Sequence, residues 1–513
     1  MPLQKNQVLT LRVERLSSDG SGVAHSPDGE TVFIPGAAPG DEARVRIVKD
    51  CKRYAFGILD EVLTPSPDRI PVDCAVAGPC GGCSLRHLDY AAELRAKQEN
   101  VADAFARIGG LDVPVLPIVG SPEVNRYRNK VQFPVGVDKS GKPCIGFYAG
   151  RTHRIVPCPD CRLQPGVLNE IGNALCAFFA EKGIQPYSEE TGRGLVRHIF
   201  LRRGAHSGQI MVCLVCTRAK LPSAEELCTR LKAQFAEITT ILLNVNAKNT
   251  NVILGTETHT LYGQGYIEDT LCGVPVQLGP LSFYQVNTLA AEQLYGIAAQ
   301  YAQLTPDDLL LDLYCGMGTI GLSMAAHCRE LIGVEIVPEA IESAKANAAR
   351  MGADVAAKSR FFCADAGQAA TRLAAEGLHP DIVMLDPPRK GCDEATLSAV
   401  VRMSPRRVVY VSCNPATAAR DAAWLEQNGY HAEKVQPVDL FPRTRHCETV
   451  VLLSKGEIDS KKVRVEFSLE DMDMSEFQDG ATYPQIKEYV LEHTGLKAVS
   501  YTHLRAHETR SNL

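Results

Sequence analysis

The stretch Val408-Val409-Tyr410-Val411-Ser412-Cys413-Asn414-Pro415 decides the fold of the carboxyl-terminal half of the chain. Its first four residues are apolar and mostly β-branched, which is typical of a buried strand. The Asn-Pro pair then favours a turn, because proline disfavours helical backbone in the residue before it. Cys413 is therefore predicted at a strand end. Ligands bind at the carboxyl ends of strands in open α/β sheets, so Cys413 is either a small core residue or a nucleophile.

Neighbouring apolar runs in the same half also end in polar residues. Leu309–Leu313 leads into Tyr314-Cys315-Gly316-Met317-Gly318, where glycines let the backbone approach a ligand and the next helix offers free N–H groups. The next three apolar runs each end in an acid, namely Glu335, Asp365 and Asp386. Taken singly, each acid is equally well explained as a helix N-cap. Together, at successive strand ends, they predict a rim of ligand contacts along an α/β sheet.

The composition is that of an ordinary globular protein. The chain has 513 residues, of which 45% are hydrophobic and 22% charged, and this length predicts about three domains. No apolar window is long enough to span a membrane and the amino terminus lacks an apolar signal core, so we expect a soluble cytoplasmic protein. Eighteen cysteines in such a protein favour metal binding or catalysis over a disulfide framework.

A basic stretch makes nucleic acid a candidate partner despite the net charge of −6, because binding depends on the local field. Aromatics are interleaved with cations in residues 120–164, which suits base stacking and phosphate contact and makes Arg128 and Lys130 candidate substrate-binding residues. A solvated strand edge explains the same pattern equally well. The cations are Arg126, Arg128, Lys130, Lys139, Lys142, Arg151, Arg154 and Arg162, against the acids Glu123, Asp138 and Asp160.

Two further motifs lie towards the amino terminus. Residues 7–64 contain about five short strand patterns separated by Gly, Pro and Asp turns, which predicts a small β-barrel. Cys74, Cys80 and Cys83 follow, with glycines beside them that let thiolates converge. Two cysteines separated by two residues are a usual pair of ligands for zinc or for an iron–sulfur cluster. The spacing alone does not distinguish zinc from a cluster. Cys158 and Cys161 are the candidates for a fourth ligand, and scattered structural thiols are the alternative.

Five motifs, in this order and spacing, make the chain resemble the RNA (uracil-5-)-methyltransferase family over residues 7–454. The amino-terminal barrel also resembles a TRAM domain, an OB-like RNA-binding module, through Gly20-Ser21-Gly22-Val23-Ala24 and Val32-Phe33-Ile34-Pro35-Gly36-Ala37. The five motifs are Phe283-Tyr284-Gln285-Val286-Asn287, the Asp312–Gly318 loop, Asp386-Pro387-Pro388-Arg389-Lys390-Gly391, Ser412-Cys413-Asn414-Pro415-Ala416-Thr417, and Asp439-Leu440-Phe441-Pro442 through His446-Cys447-Glu448-Thr449.

The resemblance implies a Rossmann-like class I S-adenosylmethionine (SAM) methyltransferase domain and a role for each matching residue. It implies that Cys413 is the nucleophile, that Glu448 is the general base, and that Phe283 stacks on a flipped base. The implied SAM contacts are Gln285, Tyr314, Gly316, Glu335 and Asp386, with Asp365 a weaker candidate. The family's iron–sulfur members imply a [4Fe-4S] cluster on Cys74, Cys80, Cys83 and Cys161, since a hydrophobic-Gln pair follows Cys161 and not Cys158; zinc fits less well.

Four segments follow from these patterns. We expect a TRAM barrel at 1–66 and a central α+β iron–sulfur and RNA-binding domain at 67–275, with helix 89–110 packed on the catalytic domain. We expect the methyltransferase domain at 276–455. Residues 456–513 form an extension to which the sequence assigns no role, and its last residues look unrelated to the rest.

The predicted activity is methylation of carbon 5 of a uridine through a covalent bond between Cys413 and carbon 6. Large-subunit (23S) ribosomal RNA is the favoured substrate of a monomeric enzyme, since transfer-RNA members of the family usually lack the barrel and the cysteines. A transfer-RNA uridine is the first alternative. An amino-nitrogen methyltransferase is the second, although its Asp-Pro-Pro is usually followed by Tyr or Phe and here by Arg389. A non-catalytic RNA-binding protein is the third, and it leaves the rim of acids unexplained.

Overall fold

The computed structural model describes residues 3–150, 152–248 and 250–456. Arg151 of the basic stretch and the expected extension beyond Gly456 lie outside the described residues. Within the described chain, none of the helices combines the length and the apolar character that a bilayer crossing requires.

The first five strands close into a barrel in the order β1-β2-β3-β5-β4, with β4 paired back onto β1. Alternating side chains of the strands, such as Val13, Ile34 and Val45, point inward and are almost fully buried. The predicted barrel is therefore confirmed. Its strands are β1 (Val8–Leu16), β2 (Ser21–His25), β3 (Thr31–Pro35), β4 (Glu42–Asp50) and β5 (Tyr54–Thr64).

A helical segment follows the cysteine-bearing loop. The short α1 (Ala77–Cys80) lies inside that loop, and α2 (Tyr90–Asp103) begins where the Asp89 carboxylate accepts a hydrogen bond from the Ala92 N–H at 2.7 Å. The helix continues as a π-helical segment over Ala104–Gly109 and stops at Gly110, which has a φ of 62°. Val101 and Phe105 are buried in the same hydrophobic cluster as the carboxyl-terminal sheet, so this helix packs against that sheet.

The central region is a seven-stranded sheet in the order β12-β11-β10-β9-β6-β7-β8. Apolar side chains at helical spacing on α3, including Leu168, Ile171, Leu175 and Phe179, are buried against it. The elements are β6 (Lys130–Val137), β7 (Pro143–Tyr148), β8 (Ile155–Pro157), α3 (Gly166–Glu181), β9 (Val196–Arg203), β10 (Ile210–Cys216), α4 (Ala224–Gln234), β11 (Ile238–Val245) and β12 (Glu257–Tyr262).

A hairpin of β13 (Ile267–Leu271) and β14 (Val274–Leu278) comes next. Its apolar side chains lie in one cluster with those of Leu294 and Leu310 in the carboxyl-terminal region. The domain boundary expected at 275/276 falls inside β14. The same cluster also holds central-sheet residues such as Phe200 and Met211, so the hairpin packs with both regions and the domain boundary stays a prediction.

The carboxyl-terminal sheet has the order β17-β16-β15-β18-β19-β21-β20, in which the first five strands are parallel and β21 is antiparallel to both neighbours. The strand order reverses between β15 and β18, which opens a crevice at their carboxyl ends. The elements are α5 (Thr288–Ala302), β15 (Leu309–Leu313), α6 (Thr319–Met324), β16 (Glu330–Glu335), α7 (Pro338–Met351), α8 (Ala353–Lys358), β17 (Ser359–Cys363), α9 (Ala366–Ala375), β18 (Ile382–Leu385), α10 (Glu394–Met403), β19 (Arg407–Ser412), α11 (Pro415–Gln427), β20 (Tyr430–Val438) and β21 (Glu448–Lys455).

Candidate active site

The loop between β15 and α6 forms an open backbone cradle. Tyr314, Gly316 and Gly318 have φ values of 66°, 55° and 78°, a region that glycine adopts without strain. A Cβ on Gly318 would meet a side-chain carbon of Leu322 at 3.1 Å, whereas one on Gly316 would meet nothing within 4 Å. Gly318 is thus required for packing, and Gly316 borders open space where a ligand can approach the backbone.

The acids at the strand ends both shape loops and face the same cavity. The Glu335 carboxylate accepts hydrogen bonds from the backbone N–H of Gly316 at 3.2 Å and of Ile336 at 2.9 Å. Asp365 accepts from the Gln368 N–H at 3.1 Å and caps α9. The N-cap explanation thus holds for Asp365, and its side chain still lines the cavity.

A cavity of about 1710 Å³ lies at the carboxyl ends of β15, β16, β18 and β19 and reaches the edge of the central sheet. It brings together every residue that the sequence pointed to for catalysis, SAM binding and substrate binding. These are Arg128, Lys130, Phe283, Gln285, Tyr314, Gly316, Glu335, Asp365, Asp386, Cys413 and Glu448.

Strand register sets Cys413 beside Glu448. Ser412, the last residue of β19, pairs with Thr449 of the antiparallel β21. Continued by one residue beyond this pair, the register brings Cys413 next to Glu448, whose charge acts on the Cys413 thiol. The turn after Cys413 is fixed because Asn414 caps α11 through the Ala416 N–H at 3.2 Å.

Like charges converge at this point. Burial and the neighbouring carboxylate of Asp386 raise the pKa of Glu448 to about 8, although the guanidinium of Arg389 acts in the opposite direction. Burial raises the pKa of Asp386 to about 7. Burial and the charges of Glu448 and Asp386 raise the pKa of the Cys413 thiol, again opposed by Arg389. Perturbed acids that share a cleft are typical of catalytic sites.

The loop that carries Phe283 and Gln285 is held from the central sheet. The buried guanidinium of Arg202 donates to the carbonyls of Gly279 at 2.8 Å and Ser282 at 2.7 Å. The Asn129 side-chain amide donates to the Gln285 carbonyl at 2.8 Å. The loop therefore presents Phe283, which is 72% exposed, at the cavity mouth without closing on it.

A second group of charges lies behind the loop that leads into Glu448. The ammonium of Lys97 donates to the carboxylates of Glu93 at 2.7 Å and Asp439 at 2.8 Å, and all three side chains are buried. Burial alone would lower the pKa of Lys97, but the charges of Asp439 and Glu93 outweigh it and raise the pKa. The Glu93 carboxylate also accepts from the Arg443 backbone N–H at 2.7 Å. We call Glu93, Lys97 and Asp439 the paired cluster.

The cysteines singled out by spacing lie near one another, outside the cavity lining. Burial raises the pKa of Cys80, and the charges of Cys161 and Cys74 raise it further; Cys161 and Cys80 act in the same way on Cys83. The neighbouring thiol of Cys158 lowers the pKa of Cys161 to about 7. In the described part of the chain, no group of three or more His, Cys, Asp or Glu side chains stands in an arrangement that could hold a metal ion.

Several cavity residues were not singled out from the sequence. Leu281 and Ile336 are exposed apolar side chains at the lining, 68% and 61% accessible. Arg389 and His446 belong to two of the motifs quoted above, within three residues of Asp386 and Glu448. Their closeness to these acids in the sequence is the signal that could have identified them as cavity residues. Burial, with nearby cations, lowers the pKa of His446 to about 4, which keeps its imidazole neutral at pH 7.

A sheet of this strand order, with a glycine cradle and acids at its carboxyl ends, defines a class I SAM-dependent methyltransferase fold, as predicted. A TRAM domain matches residues 2–59, and the tRNA (Uracil-5-)-methyltransferase family matches residues 205–456. The chain belongs to the RNA (uracil-5-)-methyltransferase family, and it is a SAM-dependent RNA methyltransferase of the uracil-5 class. The resemblance drawn from the motifs is thereby confirmed.

Relatives match almost along their full length. An uncharacterized RNA methyltransferase of Halalkalibacterium halodurans is 43% identical over 88% of this chain and 98% of its own, and one of Bacillus cereus is 41% identical over 89% and 98%. The crystal structure of Pyrococcus abyssi tRNA (uracil-54, C5)-methyltransferase in complex with S-adenosyl-L-homocysteine is 26% identical. It covers 87% of this chain and 100% of that chain with a TM-score of 0.69.

Proposed function

We propose that this enzyme methylates carbon 5 of a uridine in RNA through a covalent bond between the Cys413 sulfur and carbon 6 of the base. The observation that carries the proposal is the strand register that sets Cys413 opposite Glu448 at the cavity wall. A nucleophile and a proton acceptor on adjacent strands, beside a cofactor cradle, are what this reaction needs.

Carbon 5 of uracil is a weak nucleophile, and covalent catalysis removes that difficulty. The Cys413 thiolate adds to carbon 6, forming the S–C6 bond, and the electrons of the C5=C6 double bond move towards carbon 5 and the carbonyl at carbon 4. Carbon 5 can then accept a methyl group. Cysteine suits this role because its thiolate is strongly nucleophilic near neutral pH and also leaves readily.

Glu448 completes the reaction as general base. Its carboxylate takes the proton from carbon 5, the C5=C6 double bond re-forms, and the bond from carbon 6 to the Cys413 sulfur breaks. The raised pKa makes the ionised Glu448 carboxylate a stronger proton acceptor than an exposed glutamate. Asp386, which lines the same cavity, would hold the uracil edge.

SAM supplies an electrophilic methyl group when it is bound. The residues that would hold it are the backbone of Gly316, with Gln285, Tyr314, Glu335, Asp365 and Asp386 around the same cavity. The open space at Gly316 fits a ligand packed on backbone. The target base, once flipped out of the RNA, would stack on Phe283, and Arg128 and Lys130 would contact phosphates.

Tritium at carbon 5 of uridine tests the site of methylation. If carbon 5 is methylated, the enzyme releases tritium to water in step with methyl transfer from SAM to RNA. Methyl transfer without tritium release would place the methyl group on another atom and contradict the proposal.

For the substrate, we propose 23S ribosomal RNA of the large subunit. What supports it is the combination of a barrel with the cysteine group, which transfer-RNA members of the family usually lack. A transfer-RNA uridine is the second candidate, because the similar Pyrococcus abyssi enzyme is by its name a tRNA (uracil-54, C5)-methyltransferase. Methyl-transfer rates on unmodified ribosomal and transfer RNA transcripts, measured with one enzyme preparation, distinguish the two.

We also propose that Cys74, Cys80, Cys83 and Cys161 hold a [4Fe-4S] cluster. What supports this is their spacing and the closeness of Cys74 and Cys161 to Cys80, and of Cys161 to Cys83, which raises the pKa of Cys80 and of Cys83. The described residues do not bring three ligands into a metal-binding arrangement. Four thiolates are the usual ligand set of such a cluster.

Iron and sulfide content after anaerobic purification tests the cluster. Cys161→Ser is expected to lose iron, whereas Cys158→Ser, the matched neighbour, is expected to retain it. Zinc in place of iron, or equal iron content in both variants, would contradict the proposed ligand set.

We infer that the enzyme acts in the cytoplasm as a monomer, since cavity lining, nucleophile and base all come from one chain. Light scattering during size-exclusion chromatography tests the oligomeric state, and a dimer mass at working concentration would contradict it.

A further inference from the structure

Arg389 is fixed to the same turn as the proposed nucleophile. It follows Asp386-Pro387-Pro388 and lines the cavity together with Cys413 and Glu448. Its backbone carbonyl accepts hydrogen bonds from the Asn414 side-chain amide at 3.0 Å and the Thr417 hydroxyl at 3.4 Å. Asn414 is the N-cap of α11 and Thr417 lies in its first turn, directly after Cys413, so these bonds hold the Arg389 loop against the start of α11.

The side chain of Arg389 lines the same cavity as Cys413 and Glu448. Its positive charge favours the anionic forms of both groups and so opposes the rise in the pKa of the Cys413 thiol and of the Glu448 carboxyl. The charged groups that face Cys413 are Glu448 on β21, Asp386 after β18 and Arg389 itself. Arg389 takes part in none of the ion pairs found among residues 3–456 that the structure describes, so no carboxylate partner occupies the guanidinium.

A cation is needed at this place. Forming a thiolate beside two carboxyl groups in a partly buried wall is unfavourable, and a nearby opposite charge favours the anion. Arginine suits the task because it stays protonated and offers several N–H donors in a fixed plane.

We propose that Arg389 is a catalytic residue that stabilises the Cys413 thiolate before it adds to carbon 6 and again when it leaves. This inference rests on the proposed role of Cys413 as nucleophile. The thiol proton leaves to water when the thiolate forms, the sulfur electron pair then makes the S–C6 bond, and elimination returns that pair to sulfur. Arg389 keeps its protons throughout and gains or loses only a hydrogen-bond partner.

Alkylation of Cys413 in the full-length enzyme without RNA tests this directly. Iodoacetamide reacts with thiolates, and mass spectrometry of the Cys413 peptide gives the rate at each pH. Arg389→Gln is expected to move the midpoint of the profile up by about one pH unit, so that alkylation below the midpoint is about tenfold slower. Arg389→Lys should restore part of the rate. The matched control is Arg445→Gln, an exposed arginine on the same cavity, which should leave the midpoint unchanged.

An alkylation profile that is unchanged in Arg389→Gln would overturn the proposal. If the profile is unchanged and the affinity for RNA falls, Arg389 is a phosphate contact and not a stabiliser of the thiolate. If Arg389→Gln does not fold, Arg389→Lys carries the test with a smaller shift in the same direction. Retained methyl transfer in Cys413→Ala would instead refute the proposed function, so the two failures are distinguishable.

Discussion

Two groups of buried acids lie near each other in this molecule and differ in their partners. In the paired cluster, the carboxylates of Glu93 and Asp439 each lie within 2.8 Å of the Lys97 ammonium. In the cavity wall, Asp386 and Glu448 face each other and Cys413 with only a more distant guanidinium, and their pKa values rise to about 7 and 8. Burial also raises the pKa of Glu93, so the two groups differ in the pairing with Lys97 and not in the presence of a shifted pKa. Paired charges are typical of structural clusters, whereas perturbed acids without such a pair in a cleft are typical of reacting groups.

The largest effect should come from the cavity wall. Cys413→Ala is expected to lower methyl transfer by at least about four orders of magnitude, because the covalent route is lost, while SAM still binds. The matched control is Cys363→Ser, an exposed cysteine at the end of the edge strand β17 of the same sheet that does not line the cavity, and it should keep full activity. A Cys413→Ala enzyme that still turns over would place the nucleophile elsewhere.

Glu448→Gln should slow turnover by about two to four orders of magnitude and leave the methylated base bonded to Cys413. Addition of the thiolate and methyl transfer do not need Glu448, whereas release of the base does. A denaturant-resistant RNA–protein band should accumulate on gels with this variant. Slow turnover without that band would mean that Glu448 acts before the covalent step.

A substitution in the paired cluster should lower the stability of the fold. Lys97→Met leaves two buried carboxylates without their cation, which is expected to lower the free energy of unfolding by about 3–5 kcal/mol in urea titrations. The exposed pair Arg44–Glu61, at 2.8 Å, is the control, and Arg44→Met should cost less than about 1 kcal/mol. Equal losses in the two variants would remove the distinction between paired burial and surface pairing.

The smallest effect concerns pH. The pKa of Glu448 rises from 4.5 to about 8 on folding, so the native state binds more protons than the unfolded state between these values. Stability is therefore lost as pH rises from about 4.5 to 8. Glu448→Gln removes this loss, so its stability advantage over the parent should be small near pH 4.5 and should grow steadily towards pH 8. A gain that shrinks towards pH 8 would contradict the shifted pKa.

The local pattern of apolar and turn residues was enough to predict the barrel and the methyltransferase sheet. Each apolar run that ends in Glu335, Asp365 or Asp386 has the length of one strand, and parallel strands bring such ends to a single edge. Their meeting in one cavity therefore follows from sequence order alone.

The rest depends on contacts between distant residues. Lys97 is buried because Asp439, 342 positions later in the sequence, pairs with it. The helical periodicity of α2 does not predict a buried lysine. Pairing of Cys413 with Glu448 depends on the register of β19 against β21, which neither strand specifies alone. The hairpin β13–β14, which the predicted boundary at 275/276 divides, packs with both the central and the carboxyl-terminal sheets, and hydrophobic pattern does not reveal such shared packing.

The most direct test of the central claim uses RNA in which the target uridine carries fluorine at carbon 5. Fluorine blocks the proton abstraction assigned to Glu448, so the reaction should stop after methyl transfer with RNA bonded to the protein. Protease digestion and mass spectrometry should then find the modified base on the Cys413 peptide and on no other cysteine. A covalent base on a different residue, or complete turnover of the fluorinated RNA without any adduct, would contradict the account.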